Sequence, residues 1–229
     1  AAGSVDAISY LGLDHVFPAM MTGNTVLLGL AIGQGEVLAA LRSILALLGF
    51  CAGVAIGALI VERGEKQGDW SLAVTQALVL EAVLLGIFSV TWHLSGTARD
   101  ASAVHLMILL SAIAMGIQAA AVRHLGVPGI ATTYITGTLT SLVVDLVGWV
   151  RSAFAPRSPR TAAGAKIVDA PSTQWEGRVG LLAGVFFMYA FGAMAGAIMQ
   201  AGSSSFATLP PLAAVALVVL NASLRYRNR

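Results

Sequence analysis

A chain of 229 residues that is 57% hydrophobic and only 10% charged cannot hide its apolar surface in an ordinary core, because soluble domains carry about 25% charged residues. Lipid must cover much of it, which excludes a typical soluble enzyme. The net charge of +2 comes from 13 Lys and Arg against 11 Asp and Glu, and the basic residues fall between apolar runs and at the C-terminus, so they report membrane topology rather than nucleic-acid binding.

A spanning helix needs about 20 apolar residues. Ala1–Leu13 reads as the tail of one such helix. No basic stretch precedes a short apolar run, so no cleavable signal peptide is read, and further residues are expected upstream of Ala1. Phe17–Gly33 is short for a span and opens on Thr22-Gly23-Asn24. Val37–Val61, Trp70–Leu94 and Ala103–Ala121 are long apolar runs, and Cys51, the single cysteine, lies inside the first. One cysteine allows neither an intrachain disulfide nor a thiolate metal site. Ile130–Val150 carries Thr136-Gly137-Thr138. Residues 151–178 hold Pro156, Pro159, Pro171 and five basic residues, which predicts a hydrophilic linker. Val179–Ala201 is a further span, and Phe206–Leu224 another candidate, with Pro210-Pro211 near its start, where proline is tolerated.

The chain repeats. Thr22-Gly23 and Thr136-Gly137 stand 114 residues apart, and Gly3-x-x-Asp6-Ala7 answers Gly116-x-Gln118-Ala119. Gly53-x-x-x-Gly57-Ala58 answers Gly192-x-x-x-Gly196-Ala197 at a separation of 139, and the hydrophilic linker lies where the extra 25 residues are needed. The expected fold is all-α: one polytopic membrane bundle over 1–229, with repeat one at 1–95 and repeat two at 102–225. Three crossings per repeat plus two half-helices would invert the second copy; four crossings would leave the copies parallel, and the first arrangement is preferred because Phe17–Gly33 is short. Basic residues divide 11 against two with six crossings and 10 against three with eight, and both schemes put the linker and C-terminus in the cytoplasm of a bacterial inner membrane. The spaced glycines read as close helix–helix packing.

Candidate site residues are the polar groups inside apolar runs. Asp6 and Glu81 are costly at membrane depth, on the order of 2.5–3.5 kcal/mol each, and need partners or a wet cavity. Asp145 either faces a cavity or pairs near the basic cytoplasmic end. Gln118 stands where Asp6 does in the first repeat, which would leave one half titratable and the other fixed. Thr22, Asn24, Thr136 and Thr138, beside Gly23 and Gly137, offer oxygens that cap a half-helix or coordinate a solute. Tyr10 and Tyr134 are candidate hydrogen-bonding walls. The four histidines lack metal-ligand spacing, and the sequence shows no metalloprotease, serine-hydrolase, phosphate-loop or potassium-filter signature. No catalytic activity, metal or cofactor is expected.

Gly3-x-x-Asp6-Ala7-x-x-Tyr10, Phe17-x-x-x-Met21-Thr22-Gly23-Asn24 and Gln118-Ala119 with Thr133-x-x-Thr136-Gly137-Thr138 resemble the YoaK-like family of bacterial integral membrane proteins. The resemblance covers nearly the whole chain and implies a multi-pass bacterial membrane protein, with no substrate attached to it. Members of that family usually have several residues before the Gly-x-x-Asp-Ala motif. The residues themselves point to a small secondary transporter or facilitator, with a site for a small polar or ionic solute between the repeats and Asp6 coupling to a proton or sodium ion. The alternatives are a membrane scaffold without transport and, less favoured, an intramembrane enzyme. The expected partners are the lipid bilayer and the solute, with room for a homo-oligomer.

Overall fold

The computed structural model describes residues 1–63, 70–96, 99–126, 135–154, 172–202 and 206–227. Among them the regular secondary structure is helical: α1 (Ala2–Gly12), α2 (Met21–Gln34), α3 (Val37–Val61), α4 (Leu72–Ser95), α5 (Ala101–His124), α6 (Ile135–Phe154), α7 (Ser172–Gly202) and α8 (Leu209–Arg227). Among the described residues, four stretches are long and apolar enough to cross a membrane: α3, α4, α5 and Gly177–Gly202 of α7. Large apolar side chains such as Leu59, Val90 and Phe187 remain exposed on their outer faces, as expected where the solvent is hydrocarbon.

Local chemistry sets the helix ends. α2 stops at Gly35, whose left-handed φ of 73° closes the helix through bonds to Ala31 and Ile32 carbonyls. Ser71 caps α4 by accepting the Val74 N–H at 3.3 Å, and Gly96 at φ 60° ends it. Pro210 and Pro211 sit in the first turn of α8, where the missing N–H has no helical partner to lose. The helices reach into the predicted linker from both sides: α6 runs to Phe154 and α7 begins at Ser172. Arg151 and Arg178, read as linker ends, are therefore helical. Residues 155–171 of that segment and Tyr134 lie outside the described residues.

The core is stacked in three layers. The first gathers Leu13, Ala46, Trp92, Val104 and Met199, with Ala207 just before α8. The second gathers Val5, Phe50, Leu85, Met115, Tyr189 and Val215. The third gathers Val61, Leu78, Ala121 and Val219. Following the chain through these layers gives each helix a direction. α1, α4 and α7 run towards the first layer; α3, α5 and α8 run away from it.

The most extensive interior pairings are α5 on α3, α4 on α5 and α1 on α7, and the first and last of these share a feature. Both are seated on glycine. A Cβ added at Gly3 would collide with the Tyr189 carbonyl of α7, and one at Gly116 with the Phe50 carbonyl of α3. A Cβ at Gly196 would likewise lie 2.8 Å from the Ser4 carbonyl oxygen, and one at Gly57 3.0 Å from the Ile117 Cα. Backbone approach this close is how helices hold together in lipid, where apolar burial contributes little. α2 lies on α3, and α6 on α7.

Candidate functional site

Asp6 occupies the centre of the most connected polar site. It sits in α1 beside Val5 of the middle layer and is 3% exposed. Its Oδ1 accepts the Ala19 N–H at 2.7 Å. Its Oδ2 accepts the Tyr189 hydroxyl at 2.6 Å. One carboxylate therefore ties α1 to the entrance of α2 and to α7.

The connector from Leu13 to Met20 makes this contact reachable. α1 ends in the first layer with Leu13, and Val16 still belongs there. The chain then turns back, so that Ala19 and Met21 lie in the middle layer. Asp6 is about 9 Å below the Gly12 end of α1 at 1.5 Å per residue. α2, with 14 residues, rises about 21 Å and delivers the chain to the start of α3, which again faces the first layer. This is shorter than the roughly 30 Å hydrocarbon core.

The Phe-Pro-x-Met-Met-Thr-Gly-Asn block builds that reversal. Asn24 is fully buried and clasps Phe17 twice: its Oδ1 accepts the Phe17 N–H at 3.0 Å, and its Nδ2 donates to the Phe17 carbonyl at 2.5 Å. Gly23 leaves room for the Phe17 ring, which a Cβ there would approach to 3.1 Å. Tyr10 stacks on that ring, with centroids 4.9 Å apart and planes at 19°. Tyr10 thus acts as an aromatic cover on the turn. Thr25 donates back to the Met21 carbonyl at 2.9 Å, and Thr22 is exposed. Asn24 thus uses both ends of its amide to close the turn ahead of α2. Asn24→Ala should orphan the Phe17 N–H and carbonyl and cost about 1–3 kcal/mol. A lower melting temperature, with faster proteolysis between Val16 and Met21, would register this; an unchanged melt would show that the clasp is dispensable.

A second buried polar pair joins α4 to α5. Glu81 is 0% exposed, and its Oε1 accepts the Gln118 Nε2–H at 2.7 Å. Glu81 Oε2 and Gln118 Oε1 have no hydrogen-bond partner among the described residues. Gln118 is thus directed to α4, whereas Asp6, its counterpart in the repeat reading, is directed to α2 and α7.

The second Thr-Gly segment is differently placed. Thr136 and Gly137 are exposed on the first turn of α6, and Thr138 is buried. Thr140 donates to the Thr136 carbonyl at 2.9 Å. Asp145 is buried and pairs with Arg178 Nε at 2.9 Å, so of its two expected settings it takes the basic end of α7. The main packing of α2 is on α3 and that of α6 on α7, so the two motifs share no principal helix contact. No group of three or more potential metal ligands occurs among the described residues.

Tyr189 was missed as a site residue. Its signal was a phenol within the apolar run Phe186–Phe191, since a buried tyrosine hydroxyl needs a hydrogen-bond partner.

The arrangement can be compared with known proteins. A family model described as "Protein of unknown function (DUF1275)" matches residues 1–222. The chain belongs to the DUF1275 family. The chain is also similar to the UPF0700 transmembrane protein YoaK of Bacillus subtilis (strain 168), 48% identical over 147 residues. That match covers 64% of this chain and 63% of the relative. No solved structure matches the chain. The DUF1275 assignment and the transmembrane relative agree with the helical bundle and its lipid-facing surface, and make this a multi-pass membrane protein.

Proposed function

We propose that this protein is a small secondary transporter or facilitator of a bacterial inner membrane, built from two halves of opposite orientation. The close contacts support the halves. Gly3 and Gly116 are 113 residues apart, as are Ser4 and Ile117; Phe50 and Tyr189 are 139 apart, as are Gly57 and Gly196. The two shifts carry the contacts of α5 on α3 onto those of α1 on α7. The directions support inversion: α1, α3 and α4 alternate in the sense opposite to α5, α7 and α8. α2 is then a re-entrant half-helix, α6 is its longer counterpart of 20 residues, more than the half-helix of about a dozen expected, and with neither counted as a span the chain crosses six times. The face bearing Arg42 and Arg99 is external, and the face bearing the remaining 11 Lys and Arg is cytoplasmic.

The observation that carries the transport reading is the Asp6 carboxylate. It is buried where the halves meet and holds the entrance of a half-helix to the opposite half. Half-helix N-termini near the midplane are where transporters of inverted design hold anionic groups, and just ahead of α2 the Asp6 carboxylate is that anion. A scaffold could tie the same two donors with a neutral amide and avoid the cost of an acid in lipid. A proton arriving on Oδ1 sets a donor against the Ala19 N–H, which cannot accept, whereas one on Oδ2 would be met by the Tyr189 hydroxyl turning to accept. With the proton on Oδ1 the tie opens, and the half-helix is released from α7. Proton coupling follows from that exchange, with Glu81 as the second ionisable group.

Proteoliposomes under an imposed pH gradient test the reading. Among small amines, amino acids and carboxylates, at least one solute should accumulate, and Asp6→Asn should abolish its dependence on the gradient while the protein still folds. Gradient-driven uptake unchanged in Asp6→Asn removes Asp6 from the mechanism. Absence of flux for the whole panel favours the scaffold reading, for which the separate packing of α2 and α6 speaks.

A further inference from the structure

A cavity of about 430 Å³ opens between the α1–α2 connector, the C-terminal half of α2 and the start of α3. Its size falls within the usual range for small-molecule sites, roughly 300–1,000 Å³. Asp14, His15, Gln34, Glu36 and Arg42 supply polar groups, and Leu27, Leu30 and Ala31 an apolar wall. None of these belongs to the Asp6 tie.

Two independent features mark the cavity as more than a surface crease. First, Asp14 and His15 are consecutive non-glycine residues at φ 58° and 66°, a conformation that L side chains adopt at a steric cost. Glycine would relieve it at either position, yet both positions carry functional side chains that line the cavity. Backbone strain retained at a lined cavity is a pointer to a site. Second, the charges do not balance. Arg42 Nη2 is paired with Asp14 Oδ2 at 2.7 Å. Glu36, at the N-terminal edge of α3, has neither a hydrogen bond nor an ion pair from its carboxylate among the described residues. With Asp14 and Arg42 cancelling, one negative charge is left facing the cavity, next to the Gln34 amide.

We propose that this cavity is the external binding site for a small organic ammonium. Glu36 takes the ammonium, Gln34 and the free oxygen of Asp14 accept its remaining N–H groups, and Leu27 and Leu30 cover its hydrocarbon part. Arg42 keeps Asp14 in place and disfavours a second cation. The site lies at the end of the connector whose other end is tied to Asp6. It deepens the transport reading by naming the solute class, and it rests on that reading only for its place on the route.

Equilibrium binding separates the two. The full chain in nanodiscs is titrated with n-butylammonium chloride and, as control, sodium butyrate, followed by calorimetry. Saturable binding of butylammonium without binding of butyrate is expected. Glu36→Gln, an exposed substitution, should weaken the binding at least tenfold with unchanged helicity, and Leu30→Trp, which fills the apolar wall, should do the same by sterics. Absence of saturable butylammonium binding, equal binding of butyrate, or unchanged affinity in Glu36→Gln overturns the assignment. Binding without any flux keeps the site and sinks the transporter; flux without butylammonium binding sinks the solute class alone.

Discussion

Asp6→Ala should lower the melting temperature by roughly 5–15 °C, while Asp6→Asn should leave it within a few degrees of the parent. The alanine variant orphans two donors at once, the Ala19 N–H and the Tyr189 hydroxyl. Each buried donor left without an acceptor costs about 1–3 kcal/mol. Hydrogen bonds inside membranes average nearer 0.6 kcal/mol by double-mutant cycles, with about 1.7 at most, so the combined loss is set at about 2–4 kcal/mol. For a chain of this length 1 kcal/mol corresponds to about 2–4 °C. Asparagine keeps an oxygen for the Ala19 N–H and presents its NH₂ to Tyr189, whose hydroxyl turns to accept. The tie survives and the titratable group is gone. Scanning fluorimetry of both variants, alongside Tyr189→Phe, reads this directly. Equal melting of the alanine and asparagine variants would show that Asp6 contributes no structural tie.

The long helices were legible because nothing competes with their apolar runs. α3 has the bounds expected from sequence, Val37–Val61, since Gln34–Glu36 and Glu62-Arg63 bracket it with polar groups. The ends of α6 and α7 were less legible. Arg151 and Arg178 belong to a stretch whose prolines and charges read as linker, but the prolines lie between 155 and 171 and leave the flanking turns free to stay helical.

The candidate site was legible as a set of residues and not as an arrangement. Asp6 and Glu81 stood out because an acid within an apolar helix demands a partner. Those partners lie 13, 183 and 37 residues away, which no local pattern encodes. Asn24 shows the converse. Its spacing to Phe17 was visible, but a buried amide that satisfies its own turn and one that faces a solute have the same sequence. The expectation of a shared pocket at both Thr-Gly motifs assumed that α2 and α6 meet, whereas each is laid along the following helix.

Gly53→Ala should be among the most damaging single-methyl additions to this protein, and Gly29→Ala or Gly86→Ala should be harmless. A Cβ at Gly53 would enter the Ile113 carbonyl group and lie 2.9 Å from the Ile113 Cα. These are backbone atoms of α5, so no side-chain rotation can make room and the two helices must separate. Overpacking of this kind typically costs about 1–3 kcal/mol, and here it acts on the tightest interior pairing. Gly116→Ala presses from the other helix against Phe50 and Val54. Once the first methyl has spread the pair, the second finds part of its space already open, so the double variant should lose less than the sum of the single losses. Gly29 and Gly86 have nothing within 4 Å of an added Cβ; alanine there should be neutral or stabilise the helix by roughly 0.5–1 kcal/mol. Melting of the four single variants and the Gly53/Gly116 double variant decides the matter. Gly3→Ala adds a test across the other pair: its methyl displaces the Tyr189 backbone and should therefore loosen the Asp6–Tyr189 bond as well, making Asp6→Ala less costly in that background than in the parent. Additive losses for Gly53 and Gly116, or an undiminished cost of Asp6→Ala beside Gly3→Ala, would mean that these backbones are not in the contact that the glycines imply.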